Sequence, residues 1–116
     1  MYEKLRSDIL NSIQDVTKRD FKIEVLDNIR PALVAFTTDW CKSCLDISEI
    51  LNSLSEDYAD QIDFFRVDVD MNMALSKEYN VELLPTLIFF SSGKEMKSLM
   101  GNTSEGRINN QLKKLL

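Results

Sequence analysis

Short runs of apolar, β-branched and aromatic residues alternate along this chain with longer amphipathic stretches. Such runs are typical of strands that are covered on both faces of a sheet. They comprise residues 33–36, 64–67 and 86–90. The turn-forming residues 91–94 follow the last run, so a strand over residues 95–100 would complete a hairpin. The pattern therefore predicts a sheet.

Between these strands, apolar residues recur at steps of three and four, the period of a helix with one buried face. They predict a helix over residues 41–58, a short helix over residues 73–79, and a last helix capped by Thr103 or Ser104. The inward positions of the first and last helices are Cys44, Ile47, Leu51, Leu54, Tyr58, Ile108, Leu112 and Leu115. Strands that alternate with helices and end in a hairpin predict an α/β fold in which a mixed sheet carries helices on both faces.

The N-terminal residues carry two competing patterns. A helical period is kept by Leu5, Ile9, Ile13 and Val16. An edge strand over residues 13–17 would instead complete the sheet. We expect a short helix over residues 2–10 followed by that strand, so that residues 1–12 form a helical extension and residues 13–116 the main domain.

Length and charge narrow the class of protein. A chain of 116 residues with 44% hydrophobic content suits one compact domain. Its formal net charge of −5 would repel phosphate backbones and anionic membrane surfaces, so we expect no nucleic-acid or membrane partner. The charged opening segment and the lack of an apolar run long enough to span a membrane favour a cytoplasmic protein.

Cys41 and Cys44 are the only cysteines, and they lie where a predicted buried strand meets a helix. Residues three apart on a helix have Cβ atoms about 5 to 6 Å apart, and a disulfide needs about 3.5 to 4.5 Å, so a small adjustment allows a reversible disulfide. Unpaired N–H groups and the helix dipole favour a thiolate at Cys41, and Lys42 adds to this effect. Because Cys44 belongs to the inward stripe, we expect Cys41 to attack and Cys44 to resolve the mixed disulfide.

Other uses of two cysteines are less favoured. An intrachain zinc site takes about four Cys or His ligands, and this chain has no histidine, so we expect no metal; a site shared between molecules is left open. A structural disulfide across so short a loop would add little stability. Inert core thiols would not explain why the pair directly follows a strand.

Residues 13–116 resemble the thioredoxin family. The matching positions, in the family's order and spacing, are Phe21, Val25, Leu26, residues 33–36, Trp40, Cys41, Cys44, residues 68–70, residues 79–81, residues 84–86, Gly93 and Gly101. The resemblance implies the thioredoxin fold and a thiol-disulfide oxidoreductase that reduces client protein disulfides without a bound cofactor.

The same resemblance implies roles for individual residues. Pro85 resembles a cis-proline that faces the disulfide, beside which the backbone of Leu84 pairs with an extended client segment. Trp40 and Gly101 resemble the rest of the docking surface. Arg66 occupies a place where the family commonly has a lysine near its buried active-site acid.

Two departures from the family pattern affect the mechanism. Thioredoxins usually carry a buried aspartate where this chain has Ala35, so proton removal from Cys44 must use water, the Cys41 sulfur or another group. Lys42 and Ser43 replace the usual Gly-Pro between the cysteines. Because charge and N–H groups near a thiolate tune its stability, the reduction potential stays open.

The implied partners are disulfide-containing client proteins and a recycling enzyme that resembles thioredoxin reductase, and we expect a monomer. The first alternative is another redox task on the same fold: a disulfide oxidase, an isomerase or a dedicated electron donor. The second is a non-catalytic binding module. Retention of Trp40, both cysteines and Pro85 as a set argues against that module.

Overall fold

The computed structural model describes residues 13–116, and five strands within it form one mixed sheet in the order β1-β3-β2-β4-β5. The strands are β1 (Ile13–Asp15), β2 (Ala32–Thr37), β3 (Asp63–Asp68), β4 (Thr86–Ser91) and β5 (Lys94–Met100). Both β1 and β2 run parallel to β3, whereas β4 runs antiparallel to β2 and forms the predicted hairpin with β5. The edge strand expected over residues 13–17 is confirmed for residues 13–15. The helix expected over residues 2–10 lies outside the described residues.

The predicted helices are confirmed, and the ends predicted for the first two differ from the observed ends by at most one residue. They are α1 (Lys42–Asp57), α2 (Met73–Glu78) and α3 (Glu105–Lys114). The N-cap of α3 is Ser104, whose Oγ accepts the Arg107 N–H at 3.2 Å. A π-helical segment (Lys22–Leu26) and a 3₁₀ turn (Val69–Met71) complete the described part of the chain.

The sheet separates two apolar layers. On one face, alternate residues of the central strands pack against α1 and α3, as Leu33, Leu51 and Leu112 do. On the other face the intervening strand residues pack against the π-helical segment and α2. All six residues of β2 are buried, which explains why its sequence is a continuous apolar run rather than an alternating one. The predicted mixed sheet with helices on both faces is therefore confirmed.

The sheet register brings four strand ends together at one edge, which is the edge where the carboxyl ends of β2 and β3 lie. Thr37 at the carboxyl end of β2 pairs with Asp68 at the carboxyl end of β3. On the other side of β2, Phe36 pairs with Thr86 at the start of β4, and Thr86 pairs with Met100 at the end of β5. The loop that leads from β2 into α1 starts at this edge. No helix in the described part of the chain combines the length and the apolar character that a membrane crossing requires.

Candidate active site

Cys41 is the N-cap residue of α1. Its backbone is extended, with φ −91° and ψ 115°, and its Sγ accepts the backbone N–H of Cys44 at 3.2 Å. The sulfur thus binds one of the N–H groups that a helix leaves unpaired in its first turn. Negative charge is stabilised at this position, because the partial positive charge of the helix dipole lies at the same end. Cys41, a half-buried residue, is accordingly the cysteine whose sulfur lies at the N-terminal end of α1.

Cys44 lies in a contrasting environment one helical turn further on. It is only 1% exposed, and both cysteines are free thiols. Burial raises the pKa of the Cys44 thiol, and the hydrogen bond to the Cys41 side chain and the charge of a Cys41 thiolate raise it further. A backbone hydrogen bond from Thr38 acts in the opposite direction and lowers this pKa. The predicted difference between an accessible thiol at position 41 and an inward thiol at position 44 is thus present in the structure.

The Leu84–Pro85 peptide bond is cis, as the resemblance implies. Pro85 is buried directly before β4, and its carbonyl oxygen accepts the Gly101 N–H at 2.7 Å. Thr86 Oγ1 donates to the Leu83 carbonyl oxygen at 2.6 Å, which fixes the loop that precedes the proline. Because Thr86 pairs with Phe36 of β2, this loop lies at the same sheet edge as the cysteines.

Trp40 is held on the surface next to Cys41 in the sequence. Its side chain is 73% exposed, and its Nε1 donates to Asp70 Oδ2 at 2.8 Å. The sequence does not predict this partner, because Trp40 and Asp70 are 30 residues apart and no local pattern connects them. The parallel pairing of β2 with β3 is the signal that would have found it, since carboxyl ends of parallel strands meet at one edge.

Three residues are expected to tune the redox properties of the cysteines, and they occupy two different parts of the fold. Lys42 and Ser43 occupy the first turn of α1, where Lys42 is exposed and Ser43 half-buried. Arg66 is opposite Ala35 in the sheet register, but its Nε donates to Asp15 Oδ1 at 3.0 Å on the edge strand. The guanidinium therefore has a carboxylate partner two strands away from the position that Ala35 occupies.

The amino-acid sequence of this chain matches a known protein family. The family model described as Thioredoxin matches residues 12–114. The chain belongs to the thioredoxin family. Its mixed sheet with a C-x-x-C at the start of a helix is the thioredoxin fold, and the protein is accordingly a thiol-disulfide oxidoreductase.

Curated thioredoxins are similar over most of the chain. Thioredoxin from Porphyra purpurea is 30% identical over 105 residues, which cover 90% of this chain and 98% of that protein. Thioredoxin 1 from Synechococcus elongatus is 31% identical over 101 residues, which cover 87% of this chain and 94% of that protein. A third relative, named bifunctional thioredoxin reductase/thioredoxin, comes from Mycobacterium leprae; it is 31% identical over 87 residues, which cover 75% of this chain and 19% of that protein.

Proposed function

We propose that Cys41 attacks a client disulfide and that Cys44 then releases the reduced client. The observation that carries this assignment is the asymmetry of the pair: Cys41 is accessible and its sulfur accepts the Cys44 N–H at 3.2 Å, whereas Cys44 is 1% exposed. The Cys41 thiolate forms a bond to one client sulfur and displaces the other. Cys44 next attacks the Cys41 sulfur, forms the intrachain disulfide and displaces the client as a thiol.

The docking surface that we propose for clients surrounds the Cys41 sulfur. It consists of Trp40, Leu84, Pro85 and Gly101. Support comes from the exposed indole of Trp40, from the bond between the Pro85 carbonyl and the Gly101 N–H, and from the half-buried Leu84 next to the cis peptide bond. Leu83 and Met100, both more than half exposed, extend this surface with apolar area. An extended client segment would lie here with its backbone against Leu84.

Three residues are proposed to adjust the redox equilibrium. Lys42 brings a positive charge next to the Cys41 sulfur, which stabilises the thiolate and thus the reduced protein. Ser43 adds an N–H and a hydroxyl in the same helical turn. Arg66 is proposed to act at longer range, since it lies on the sheet opposite Ala35 while it remains paired with Asp15.

We further propose reduction as the physiological direction, in the cytoplasm, with a recycling enzyme that resembles thioredoxin reductase. A dithiol reductant needs a compartment that keeps thiols reduced. The fused reductase and thioredoxin named in the Mycobacterium leprae relative supports this kind of recycling partner. The chemistry itself takes place between sulfur atoms of Cys41, Cys44 and the client, so no cofactor is proposed.

A monomer with residues 13–116 as its catalytic domain and residues 1–12 as an extension completes the proposal. The domain boundary is supported by β1, which already belongs to the sheet at Ile13. The monomer is supported by the edge strand β5, on which Lys94, Glu95 and Lys97 are exposed to solvent. Charged edge strands resist pairing between molecules.

Insulin reduction in the presence of dithiothreitol tests the proposed roles of the two thiols. The wild-type protein should accelerate the reduction, and Cys41→Ala should lower the rate to the uncatalysed background. Cys44→Ala is the matched control, because it should still form the bond to the client and accumulate a mixed disulfide on non-reducing gels. Full turnover by Cys41→Ala would show that the nucleophile is assigned wrongly.

Equilibration against a series of glutathione ratios then tests the proposed direction. We expect a reduction potential nearer to about −270 mV, the value of reducing thioredoxins, than to about −120 mV, the value of a strong disulfide oxidant. A reduction potential near that of the strong oxidant would contradict the proposed direction and would favour the disulfide oxidase alternative.

A further inference from the structure

Asn72 is a buried polar residue whose side chain does not cap the helix that it begins. It is the N-cap residue of α2 and only 8% exposed, yet its side chain makes no capping hydrogen bond. Asparagine at an N-cap normally accepts an N–H of the first helical turn. Here Oδ1 accepts the Lys18 N–H at 3.0 Å instead, and Nδ2 donates to the Asp68 carbonyl oxygen at 2.9 Å. The side chain therefore joins the loop after β1 to the end of β3.

The end of β3 is in turn connected to the indole of Trp40. Asp68, the last residue of β3, accepts the Asp70 N–H through Oδ1 at 3.0 Å and so caps the 3₁₀ turn. The Asp70 carboxylate then accepts the Trp40 Nε1–H at 2.8 Å. Hydrogen bonds of ordinary length thus lead from Asn72 through Asp68 and Asp70 to Trp40.

The orientation of the Trp40 indole depends on the turn that carries Asp70. The side chain is 73% exposed, and an indole has a single hydrogen-bond donor, which is bound to Asp70. The three residues of the 3₁₀ turn are exposed or half-buried, and Asn72, the residue that follows them, is buried. Asn72 also donates its backbone N–H to the Val69 carbonyl oxygen at 3.2 Å. It is therefore the buried anchor of this turn.

We propose that Asn72 is a positioning residue for client binding: by anchoring the turn that carries Asp70, it keeps the indole of Trp40 in one orientation on the docking surface. Ordering a mobile side chain on binding costs free energy, and a side chain that is already held in the free protein avoids this cost. Asn72 thus raises the affinity for client proteins without acting on the cysteine sulfurs. This inference rests on the proposed docking role of Trp40.

Two disulfide substrates of different size separate client binding from thiol reactivity. In Asn72→Ala we expect the KM for insulin to rise about two- to tenfold at unchanged kcat, the effect of one side chain that is ordered only on binding. The rate with Ellman's reagent, a small disulfide, should equal that of the wild type. Asn72→Asp is a second variant, which keeps the acceptor for the Lys18 N–H but lacks the donor to the Asp68 carbonyl, and it should also raise the KM for insulin.

Asn28 provides the matched control, because its side chain also joins β3 to another segment. Its Nδ2 donates to Asp63 Oδ2 at 2.8 Å and its Oδ1 accepts the Arg30 N–H at 2.9 Å. Asp63 begins β3, so these bonds lie at the opposite end of the strand from Asp68. Asn28→Ala and Asn72→Ala should both lower the free energy of unfolding in urea, but only Asn72→Ala should raise the KM for insulin.

Fluorescence reports the indole directly, because Trp40 is the only tryptophan of the chain. The fast component of the Trp40 anisotropy decay should be larger in Asn72→Ala than in the wild type and in Asn28→Ala. Asp70→Ala should raise the KM for insulin by itself, and Asn72→Ala should add no further rise in that background, because Asn72 acts through Asp70.

The proposal is overturned if Asn72→Ala has a wild-type KM or a wild-type anisotropy decay, or if it slows both substrates equally. It is also overturned if Asn28→Ala raises the KM as much, or if the effect of Asn72→Ala persists in the Asp70→Ala background. A wild-type KM in Trp40→Ala would instead contradict the proposed docking surface itself.

Discussion

At the scale of single residues, the thiols of Cys41 and Cys44 differ because their surroundings in the structure differ. The Cys41 sulfur caps a helix and receives an N–H, while the Cys44 sulfur lies inside the molecule one turn later. The sequence predicts this difference, because the period of α1 places position 44 with Ile47 and Leu51 on the buried stripe. It does not predict the bond between Trp40 and Asp70, since that contact depends on the pairing of β2 with β3.

The raised pKa of Cys44 makes the stability of the reduced protein depend on pH. Below the ordinary thiol pKa of 9.0, both the folded and the unfolded state carry the proton, so Cys44 contributes no pH dependence. Above it the unfolded state loses this proton more readily, so the free energy of unfolding should fall as pH rises, by at most about 1.4 kcal/mol per pH unit.

Urea unfolding of the reduced protein at about pH 8 and about pH 10 measures this effect. Cys44→Ala is the control, because it keeps the other groups that titrate in this range, among them tyrosines and lysines. The decrease in unfolding free energy should be larger for the wild type than for Cys44→Ala. Equal decreases would mean that burial does not hold Cys44 in its thiol form.

At the scale of elements, predictions succeed where one local pattern decides the structure. The strands β2, β3 and β4 have clear apolar runs, the helices α1, α2 and α3 have clear periods, and the structure confirms all six. The π-helical segment is different, because its wide turn, with the Asp27 N–H bonded to the Lys22 carbonyl, accompanies the burial of Phe21 and Val25 under the sheet. The cis bond at Pro85 also lies beyond local pattern: about 5 to 6% of X–Pro bonds in folded proteins are cis, and only the family resemblance indicated it.

Two glycines should respond with opposite signs to the same substitution. Gly93, in the hairpin turn, has φ +76°, and a Cβ there would lie 2.5 Å from the Leu26 carbonyl oxygen at the end of the π-helical segment. Gly93→Ala should therefore lower the free energy of unfolding by more than about 1 kcal/mol. Gly106 lies in α3 with no atom within 4 Å of an added Cβ, so Gly106→Ala should raise it by about 0.5 to 1 kcal/mol.

Urea unfolding curves of the two variants and the wild type provide the comparison. Gly106→Ala controls for the addition of a methyl group as such. If Gly93→Ala proved as stable as the wild type, the close approach between the hairpin and the π-helical segment would be wrong.

At the scale of the whole molecule, topology assembles the site from segments that are far apart in the sequence. The parallel pair β2 and β3 places Cys41 and Asp70 at one edge, and the antiparallel β4 and β5 bring Pro85 and Gly101 to the same edge. The apolar layers on both faces of the sheet hold this arrangement in place. The edge itself follows from the predicted order of strands and helices, whereas the contacts across it follow from register, which the sequence does not specify.

The account as a whole depends on one thiol being reactive while its neighbour is protected. Alkylation of the reduced protein with iodoacetamide near neutral pH, followed by mass spectrometry of the peptides, measures the rate at each cysteine directly. We predict rapid modification of Cys41 and at least tenfold slower modification of Cys44, with the slow rate rising to that of a free thiol once urea unfolds the chain. Equal rates at the two cysteines of the folded protein, or faster modification of Cys44, would contradict the account.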